Sequence, residues 1–364
     1  MPLTDRVLEM ACAIQQIPAP TFHEHKRAEF VRQQFVALGL QDVSMDEMGN
    51  VYARRPGHGQ TRPILVSAHT DTVFPANIPL TLQRHAERIY GPGLGDNALG
   101  VAGLIGLVWA LEDEALPGDL WLAANVCEEG LGDLRGMRAV MDRLGKQVKA
   151  TIVLEGMALG QIYHGGIGVR RYRFTARAEG GHSWLNFGRP SAIHGLLRFG
   201  AQLTHLTVPS TPRTTYNIGT INGGTSVNTI AREAWFDLDL RSEDPSALSE
   251  LATRVESLAA ENRLAGVALE IQVIGDRPSG GLTRHHPLVQ IAAHVLQNLG
   301  VTPRFDTGST DANIPLSLGL PCICVGLSHG GNAHRPDEYI ETAPLATGLK
   351  ALVQMVRQTL AWAG

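Results

Sequence analysis

Histidines and carboxylates follow several apolar segments of this sequence, and they are the residues best suited to chemistry. In open α/β folds, ligands bind beyond the carboxyl ends of the strands, so side chains placed there can converge on one site. Imidazole and carboxylate together bind zinc and similar cations, and several carboxylates allow two ions with one ligand shared. The residues in such positions are His69, Asp71, Glu128, Glu129, Glu155 and His334, with Asp96 in a glycine-rich loop that opens a helix.

Spacing within this set indicates different tasks for neighbouring residues. Asp71 lies two residues after His69, so it is better placed to accept a hydrogen bond from the other ring nitrogen than to share the metal. Glu128 and Glu129 project in different directions, so one can bind a metal while the other takes a proton from water. Each feature alone has a simpler explanation: a polar loop around His69, a solvated turn at the glutamates, and a helix cap at Asp96. Their joint occurrence after apolar segments favours the metal site.

The elements that position these residues alternate between helix and strand. Over the first 160 residues, and again near the end, helices separate near-continuous apolar strands, which predicts an α/β fold with a mostly parallel, doubly wound sheet. Between these parts the strands alternate polar and apolar residues, and the order β-α-β-β-α-β predicts an inserted ferredoxin-like domain. Its second helix is predicted over residues 246–264. The predicted domains are residues 1–166 with 281–364, which carry the metal site, and residues 167–280.

Length and composition restrict the class of protein. The chain has 364 residues, above the size at which single hydrophobic cores stop growing, so two domains are expected. Its net charge of −4 provides no basic excess for nucleic acid or an anionic membrane surface. The sequence begins without the pattern of a secretory signal, and no apolar stretch reaches the roughly 20 residues of a membrane helix. A cytoplasmic protein whose four cysteines are buried free thiols is therefore expected.

Several blocks around these polar residues carry a family resemblance. The sequence resembles the dinuclear zinc metallopeptidase family that includes aminoacylase, carboxypeptidase G, peptidase T and succinyl-diaminopimelate desuccinylase. The resemblance includes the order of the blocks and the inserted domain, and it spans nearly the whole chain. The blocks are Ser67-Ala-His-Thr-Asp-Thr-Val73, Gly95-Asp-Asn-Ala-Leu-Gly100, Glu128-Glu129-Gly130, Leu154-Glu-Gly156 and Asn332-Ala-His-Arg-Pro-Asp-Glu338.

The resemblance implies a role for each polar residue near the strand ends. Members of the family bind two metals with one carboxylate shared between them. On this sequence, the implied ligands are His69, Glu155 and Asp96 for one metal, and Asp96, Glu129 and His334 for the other. Glu128 would be the general base, and Asp71 would orient the ring of His69.

The inserted domain contains further residues that the resemblance implicates. His182 matches a lid histidine that holds the developing oxyanion, often across a dimer; without the family it would be read as a loop histidine that caps a turn. Asn228 and Arg241 match substrate-binding positions. From the residues alone, Arg241 equally suits a salt bridge to Asp237 or Asp239 on its own strand face.

A loop near the end of the chain resembles a substrate-contacting segment of the family. It contains Gly308 and Ser309, and the resemblance implies that both lie at the substrate. The alternative is local, because Ser309 or Asp311 also suits the cap of the next helix.

Together these observations predict a metal-dependent hydrolase that cleaves an amide or peptide bond in a small substrate. A di- or tripeptide exopeptidase that uses a metal-activated bridging water is the first hypothesis. The expected cofactors are two divalent metal ions, zinc before cobalt or manganese, whose ligand preferences overlap. An N-acyl-amino-acid deacylase is the alternative, and an inactive binding protein is disfavoured because the base and all five ligands are present. The expected partners are a peptide or N-acyl amino acid and a second copy of the chain, joined through the inserted lid domain.

Overall fold

The computed structural model describes residues 1–262 and 265–364, which form two compact units. The first, here called the discontinuous unit, comprises Met1–Gly166 and Gly280–Gly364; the second, the inserted unit, comprises Ile167–Ser279. Among the described residues, no helix combines the length and apolar character needed to cross a bilayer. All four cysteines are buried and free, as the sequence predicted.

The helices agree with the apolar patterns of the sequence to within a few residues at each end. The predicted helix over residues 246–264 corresponds to α6, and its positions 263 and 264 lie outside the described residues. The helices are α1 (Leu3–Gln15), α2 (His25–Ala37), α3 (Leu99–Ala110), α4 (Arg135–Leu144), α5 (Ala192–Leu203), α6 (Pro245–Glu261), α7 (Pro287–Asn298), α8 (Asn313–Ser317) and α9 (Leu345–Trp362).

The strands fall into a large mixed sheet and several smaller antiparallel ones. They are β1 (Gln41–Met45), β2 (Val51–Arg55), β3 (Ile64–His69), β4 (Gln83–Arg84), β5 (Arg88–Tyr90), β6 (Leu120–Asn125), β7 (Thr151–Glu155), β8 (Gln161–Gly166), β9 (Gly168–Ala178), β10 (Gly181–His182), β11 (Thr214–Gly223), β12 (Thr229–Ile230), β13 (Glu233–Ser242), β14 (Val267–Arg277), β15 (Gly280–Gly281), β16 (Arg304–Gly308), β17 (Cys322–Gly326), β18 (Gly330–Gly331) and β19 (Tyr339–Glu341).

The mixed sheet organises the discontinuous unit. Its strand order is β1-β2-β6-β3-β7-β17-β8-β15, with β16 beside β8. The four central strands β6, β3, β7 and β17 run parallel and are buried along almost their whole length. Successive residues of β3 enter different apolar clusters, Val66 with residues of α1 and α3 and Leu65 with residues of α4, so helices cover both faces. The predicted α/β class is confirmed; the flanking strands β1 and β8 were not predicted, because neither contains a continuous apolar run.

Helix α3 is buried on nearly all sides and fixes the end of the turn that precedes it. Two glycines allow this close packing: a Cβ on Gly103 would lie 2.3 Å from the side chain of Leu327, and one on Gly106 would lie 2.5 Å from that of Val7. Immediately before α3, the irregular turn Leu94–Ala98 carries Asp96. The position of this carboxylate therefore depends on a helix that has little freedom to move.

The inserted unit is an antiparallel sheet packed against α5 and α6. Its strand order is β11-β13-β9-β14, and the chain passes through β9, α5, β11, β13, α6 and β14 in turn, which is the predicted βαββαβ arrangement. The core of the sheet and α5 contains Phe174, Phe199 and Phe236, whose rings lie 4.9–5.8 Å apart. Asp244 caps α6 by accepting a hydrogen bond from the amide of Ala247 at 2.8 Å.

Candidate metal centre

The loops at one edge of the parallel sheet carry most of the predicted ligands. His69 is the last residue of β3, and Glu155 is the last residue of β7. Glu128 and Glu129 follow the end of β6. Because β6, β3 and β7 are parallel neighbours, their carboxyl ends meet at the same edge, where the sequence predicted a site.

Asp96 lies at the centre of this cluster and directs one carboxylate oxygen to each of two histidines. Its Oδ1 is 3.2 Å from Nε2 of His69, and its Oδ2 is 3.1 Å from Nε2 of His334. Glu155 Oε2 lies 3.7 Å from Nε2 of His69, and Glu129 Oε1 lies 3.2 Å from Nε2 of His334. Two three-residue groups result, each with its ligand atoms within 4.8 Å of one another, and Asp96 belongs to both.

Glu128 lies close to one ligand of each group. Its carboxylate also lies within 4.8 Å of ligand atoms of His69 and Glu129, so geometry alone permits a base or a further ligand. Glu128 and Glu129 are buried, whereas the side chain of His334 is 53% exposed. The cluster is therefore open to solvent, and to a substrate, on the side of His334.

The charges of the cluster shift the pKa of its members strongly. Burial alone would lower the pKa of His69, but hydrogen bonds with three carboxylates raise it well above its usual value. Hydrogen bonds to Asp96 and Glu129 raise the pKa of His334 to about 10. Burial opposes ionisation of Asp96, yet its hydrogen bonds with both histidines hold its pKa well below the usual range. Burial raises the pKa of Glu155 to about 7. The carboxylates thus create a site that strongly attracts positive charge.

Asp71 connects the loop after β3 with the loop after β6. Its Oδ1 accepts a hydrogen bond from the backbone amide of Glu128 at 3.0 Å, and its Oδ2 accepts one from that of Glu129 at 2.9 Å. Nδ1 of His69 lies 3.3 Å from Asp71 Oδ1 and 3.2 Å from the Asp71 carbonyl oxygen. The contact with His69 is the one that the spacing suggested. The bonds to the two amides were not predicted, because backbone donors leave no pattern in a sequence.

Two buried side chains hold the turn that carries Asp96. Glu338 Oε1 accepts hydrogen bonds from the backbone amides of Gly95 and Asp96, at 2.7 and 3.0 Å. Asn97 bonds to the backbone on either side of Glu155, at 2.8 and 2.9 Å. Neither residue was predicted to have a role, and the only signal for them in the sequence was their place inside the blocks that carry the family resemblance.

In the inserted unit, His182 and Asn228 lie on adjacent segments, joined by a hydrogen bond from the amide of Ser183 to the carbonyl of Asn228. His182 Nδ1 accepts from the amides of Trp184 and Leu185, at 3.2 and 3.4 Å. This is the turn contact expected of a loop histidine. It also places the ring proton of the neutral imidazole on Nε2, where it can be donated.

Arg241 lies at the other end of the inserted sheet. It pairs with Val169 at the start of β9, whereas His182 follows the end of that strand. Its Nε donates to Asp239 Oδ2 at 2.7 Å, so the salt bridge to its own strand face is present. Within the inserted unit, the structure does not bring Arg241 together with His182 and Asn228.

The loop at Gly308 and Ser309 belongs to the discontinuous unit. Gly308 ends β16, and a Cβ there would lie 2.9 Å from the ring of Tyr163. The N-cap position of α8 is Ala312, so neither Ser309 nor Asp311 occupies it. Asp311 is instead buried beneath the loop and accepts a hydrogen bond from the side chain of Asn125 at 2.7 Å.

The donor set fits two divalent cations. Each group combines one imidazole nitrogen with two carboxylates, and a carboxylate common to both groups is suited to bridge two ions. Such mixed nitrogen and oxygen ligands are typical of zinc and of neighbouring transition metals.

Comparison with known proteins agrees with this geometry. The sequence model described as peptidase family M20/M25/M40 matches residues 65–358. The chain is 24% identical to peptidase T of Aeromonas hydrophila, over 90% of this chain and 89% of that protein. It is 25% identical to the succinyl-diaminopimelate desuccinylase of Delftia acidovorans, over 93% of this chain and 94% of that protein. The crystal structure of a Bacillus subtilis protein, described as a dinuclear metal binding peptidase from the M20 family, superimposes with a TM-score of 0.70 at 16% identity and covers 99% of both chains. The resemblance seen in the sequence is thereby confirmed, and the chain is a metallohydrolase of peptidase family M20/M25/M40.

Proposed function

We propose that this chain is a di- or tripeptidase that hydrolyses the peptide bond of a small substrate with two zinc ions. The observation that carries the proposal is the position of Asp96, whose two carboxylate oxygens lie 3.2 and 3.1 Å from the Nε2 atoms of His69 and His334. A carboxylate between two imidazoles is the arrangement required of a ligand that bridges two metal ions.

The residues around this carboxylate have complementary tasks. When bound, two divalent cations supply Lewis-acid activation of a water molecule and of the substrate carbonyl. The proposed ligands are His69, Asp96 and Glu155 for one ion, and Asp96, Glu129 and His334 for the other. Glu128 takes the proton of the attacking water and returns it to the leaving amine. Asp71 accepts from Nδ1 of His69 and so leaves Nε2 free to bind metal.

The remaining predicted residues contact the substrate in this proposal. His182 donates a hydrogen bond from its Nε2–H to the oxyanion, a role that the two backbone bonds to its Nδ1 support. The rest of the substrate is bound by Asn228, Arg241, Gly308 and Ser309. Arg241 forms a salt bridge with Asp239, and this role competes with substrate binding. The guanidinium must exchange this contact for one with the substrate.

A second candidate is an N-acyl-amino-acid deacylase, because the chain is as similar to a desuccinylase as to peptidase T. Both reactions break a C–N bond by the same chemistry, so the metal ligands do not distinguish them. The difference lies in whether the leaving amine carries an acyl group or an aminoacyl group on its nitrogen.

The decisive experiment combines a metal assay with a substrate panel. We expect two zinc ions per chain, hydrolysis of di- or tripeptides, loss of activity with a chelator and recovery with zinc. The panel includes dipeptides, tripeptides, N-acetyl and N-succinyl amino acids, and the Asp96→Asn variant is the inactive control. Cleavage of N-acyl amino acids alone would support the deacylase, and activity that survives complete metal removal would contradict both candidates.

A further inference from the structure

A segment ahead of the family-matched region contacts both loops of the metal centre. This segment, residues 17–27 and here called the brace, includes the first turn of α2. Its backbone pairs with the loop after β3, since the amide of Thr72 donates to the carbonyl of Ala19 at 2.9 Å. Its Thr21 hydroxyl donates to Asp71 Oδ2 at 2.9 Å, the same oxygen that accepts the amide of Glu129.

Arg27 connects the brace by a hydrogen bond to Thr70, the residue between His69 and Asp71. The side chain is 1% exposed, which is rare for arginine. Its Nη1 donates to the carbonyl of Thr70 at 2.8 Å, while Nε and Nη2 both donate to the carbonyl of Ile17, at 3.0 and 2.7 Å. Burial lowers the pKa of Arg27 to about 10, and the nearby charges of Asp71 and Glu24 oppose this shift. The guanidinium is therefore charged at neutral pH and balances the buried Asp71 carboxylate.

Glu24, at the start of α2, connects the brace to the loop after β6. It is 5% exposed, and its Oε1 accepts a hydrogen bond from the backbone amide of Cys127 at 3.0 Å. Cys127 immediately precedes Glu128 and has a φ of +57°, a conformation that few residues other than glycine adopt. A specific acceptor at this amide holds the backbone in the conformation that directs the two glutamates into the cluster.

We propose that Glu24 and Arg27 are positioning residues that set the separation of the His69 loop from the Glu128 loop, and with it the metal affinity of the centre. Glu24 immediately precedes α2 and Arg27 lies in the first turn of this helix, so one short segment bonds to both Thr70 and Cys127. Asp71 links the same two loops directly, and the brace fixes Asp71 through Thr21. This inference rests on the proposed function, because it concerns the same metal site.

The test compares substitutions that keep or remove one contact. Glu24→Gln keeps an oxygen acceptor for the Cys127 amide, whereas Glu24→Ala removes it. In the folded chain of 364 residues, we expect Glu24→Ala to weaken zinc binding about 10–100-fold, the usual effect of losing a group that orients ligands. It should lower kcat more than it changes KM. Glu24→Gln should remain within about threefold of wild type in both measurements.

Arg27→Met is the corresponding variant on the other loop. Because loss of a buried arginine can prevent folding, Thr21→Val serves as its milder substitute, and it removes only the hydroxyl contact with Asp71. Arg55→Met is the matched control: Arg55 also donates to backbone carbonyls, those of Val108, Glu112 and Glu114, but it pairs with the opposite end of β6. It should lower thermal stability without changing the zinc dissociation constant.

Zinc affinity is measured by competition with a chelator of known affinity, so the readout does not require a substrate. A folded Glu24→Ala variant that binds zinc within about twofold of wild type would overturn the inference. So would an equal loss of affinity in Arg55→Met, which would indicate general loosening. If the wild-type chain binds zinc but hydrolyses no compound in the panel, the proposed function fails while the affinity comparison still decides the role of the brace.

Discussion

Glu338 binds the backbone of Asp96 from beneath the metal centre: its Oε1 lies 3.0 Å from the Asp96 nitrogen. The same oxygen accepts the amide of Gly95, and Glu338 is fully buried. Glu338 therefore holds the one carboxylate that faces both histidines, although it lies four residues beyond His334 and was assigned no role from the sequence.

From this contact we expect Glu338→Ala to lower both stability and metal content. The change leaves a buried amide of Gly95 without an acceptor, which costs about 1–3 kcal/mol, and it frees the turn of Asp96. Glu338→Gln keeps an oxygen acceptor and should retain nearly normal metal content. Thermal unfolding and metal analysis after dialysis are the measurements. The control is Glu341→Ala, which removes only a partly exposed salt bridge to Arg88 nearby and should change little.

A second prediction concerns the different roles of the adjacent residues Glu128 and Glu129. Glu128→Gln should reduce turnover by about 10²–10⁴-fold, the contribution of a general base, and leave two metals per chain. Glu129→Gln should lose metal from the site that includes His334. Metal analysis and kcat are measured on the same preparations. If Glu128→Gln loses metal to the same extent as Glu129→Gln, Glu128 is a ligand, as its position within 4.8 Å of ligand atoms of His69 and Glu129 permits.

His334 provides a prediction about protons. In the metal-free protein, hydrogen bonds to Asp96 and Glu129 raise its pKa to about 10, so the imidazole is protonated at pH 7.5. A metal binds the neutral ring, and binding therefore releases this proton. The proton release on metal binding is measured by calorimetric titration in two buffers of different ionisation enthalpy. We expect His334→Ala to release about one proton fewer than the wild type. Equal proton release from the two proteins would contradict the assignment of His334 as a ligand.

The same pKa shift makes the stability of the metal-free protein depend on pH. A histidine whose pKa is raised by folding stabilises the native state fully below its unfolded value of about 6.5. This contribution is lost as the pH rises toward the folded value of about 10. With a chelator present, the free energy of unfolding should therefore decline between these pH values more steeply for wild type than for His334→Asn. Denaturant titrations at several pH values measure this difference.

The parts of the centre that could be predicted are those whose position follows from a strand. His69 and Glu155 end β3 and β7, and the joint occurrence of polar residues after apolar runs was the signal that placed them. His334 lies eight residues after β17, so the apolar strand before it indicated only its general position, and its role as a ligand came from the family resemblance. Glu24 and Arg27 gave no signal, because charged residues at the start of a helix are normally interpreted as a solvated face. Their burial arises from tertiary packing that no local pattern records.

The last prediction concerns the inserted unit and assembly. β11 is an edge strand of its sheet, and Ile221 on β11 and Leu197 on α5 are more than half exposed. Unpaired backbone groups and exposed apolar side chains favour association with a second copy, so we expect a two-fold dimer through this unit. In such a dimer we expect His182 to reach the metal centre of the partner subunit. His182→Ala should then lower turnover by about 10²–10³-fold without loss of metal.

A mixing experiment separates action across the dimer from action within one chain. In a heterodimer of His182→Ala and Glu128→Gln subunits, one site has both an intact base and the intact histidine of its neighbour. Random exchange of equal amounts makes half of the dimers mixed, so about a quarter of the wild-type activity should return. Native mass spectrometry verifies the exchange, and mixing each variant with itself is the control. If the verified mixture remains inactive, or if the chain is monomeric in solution, His182 does not act across a dimer.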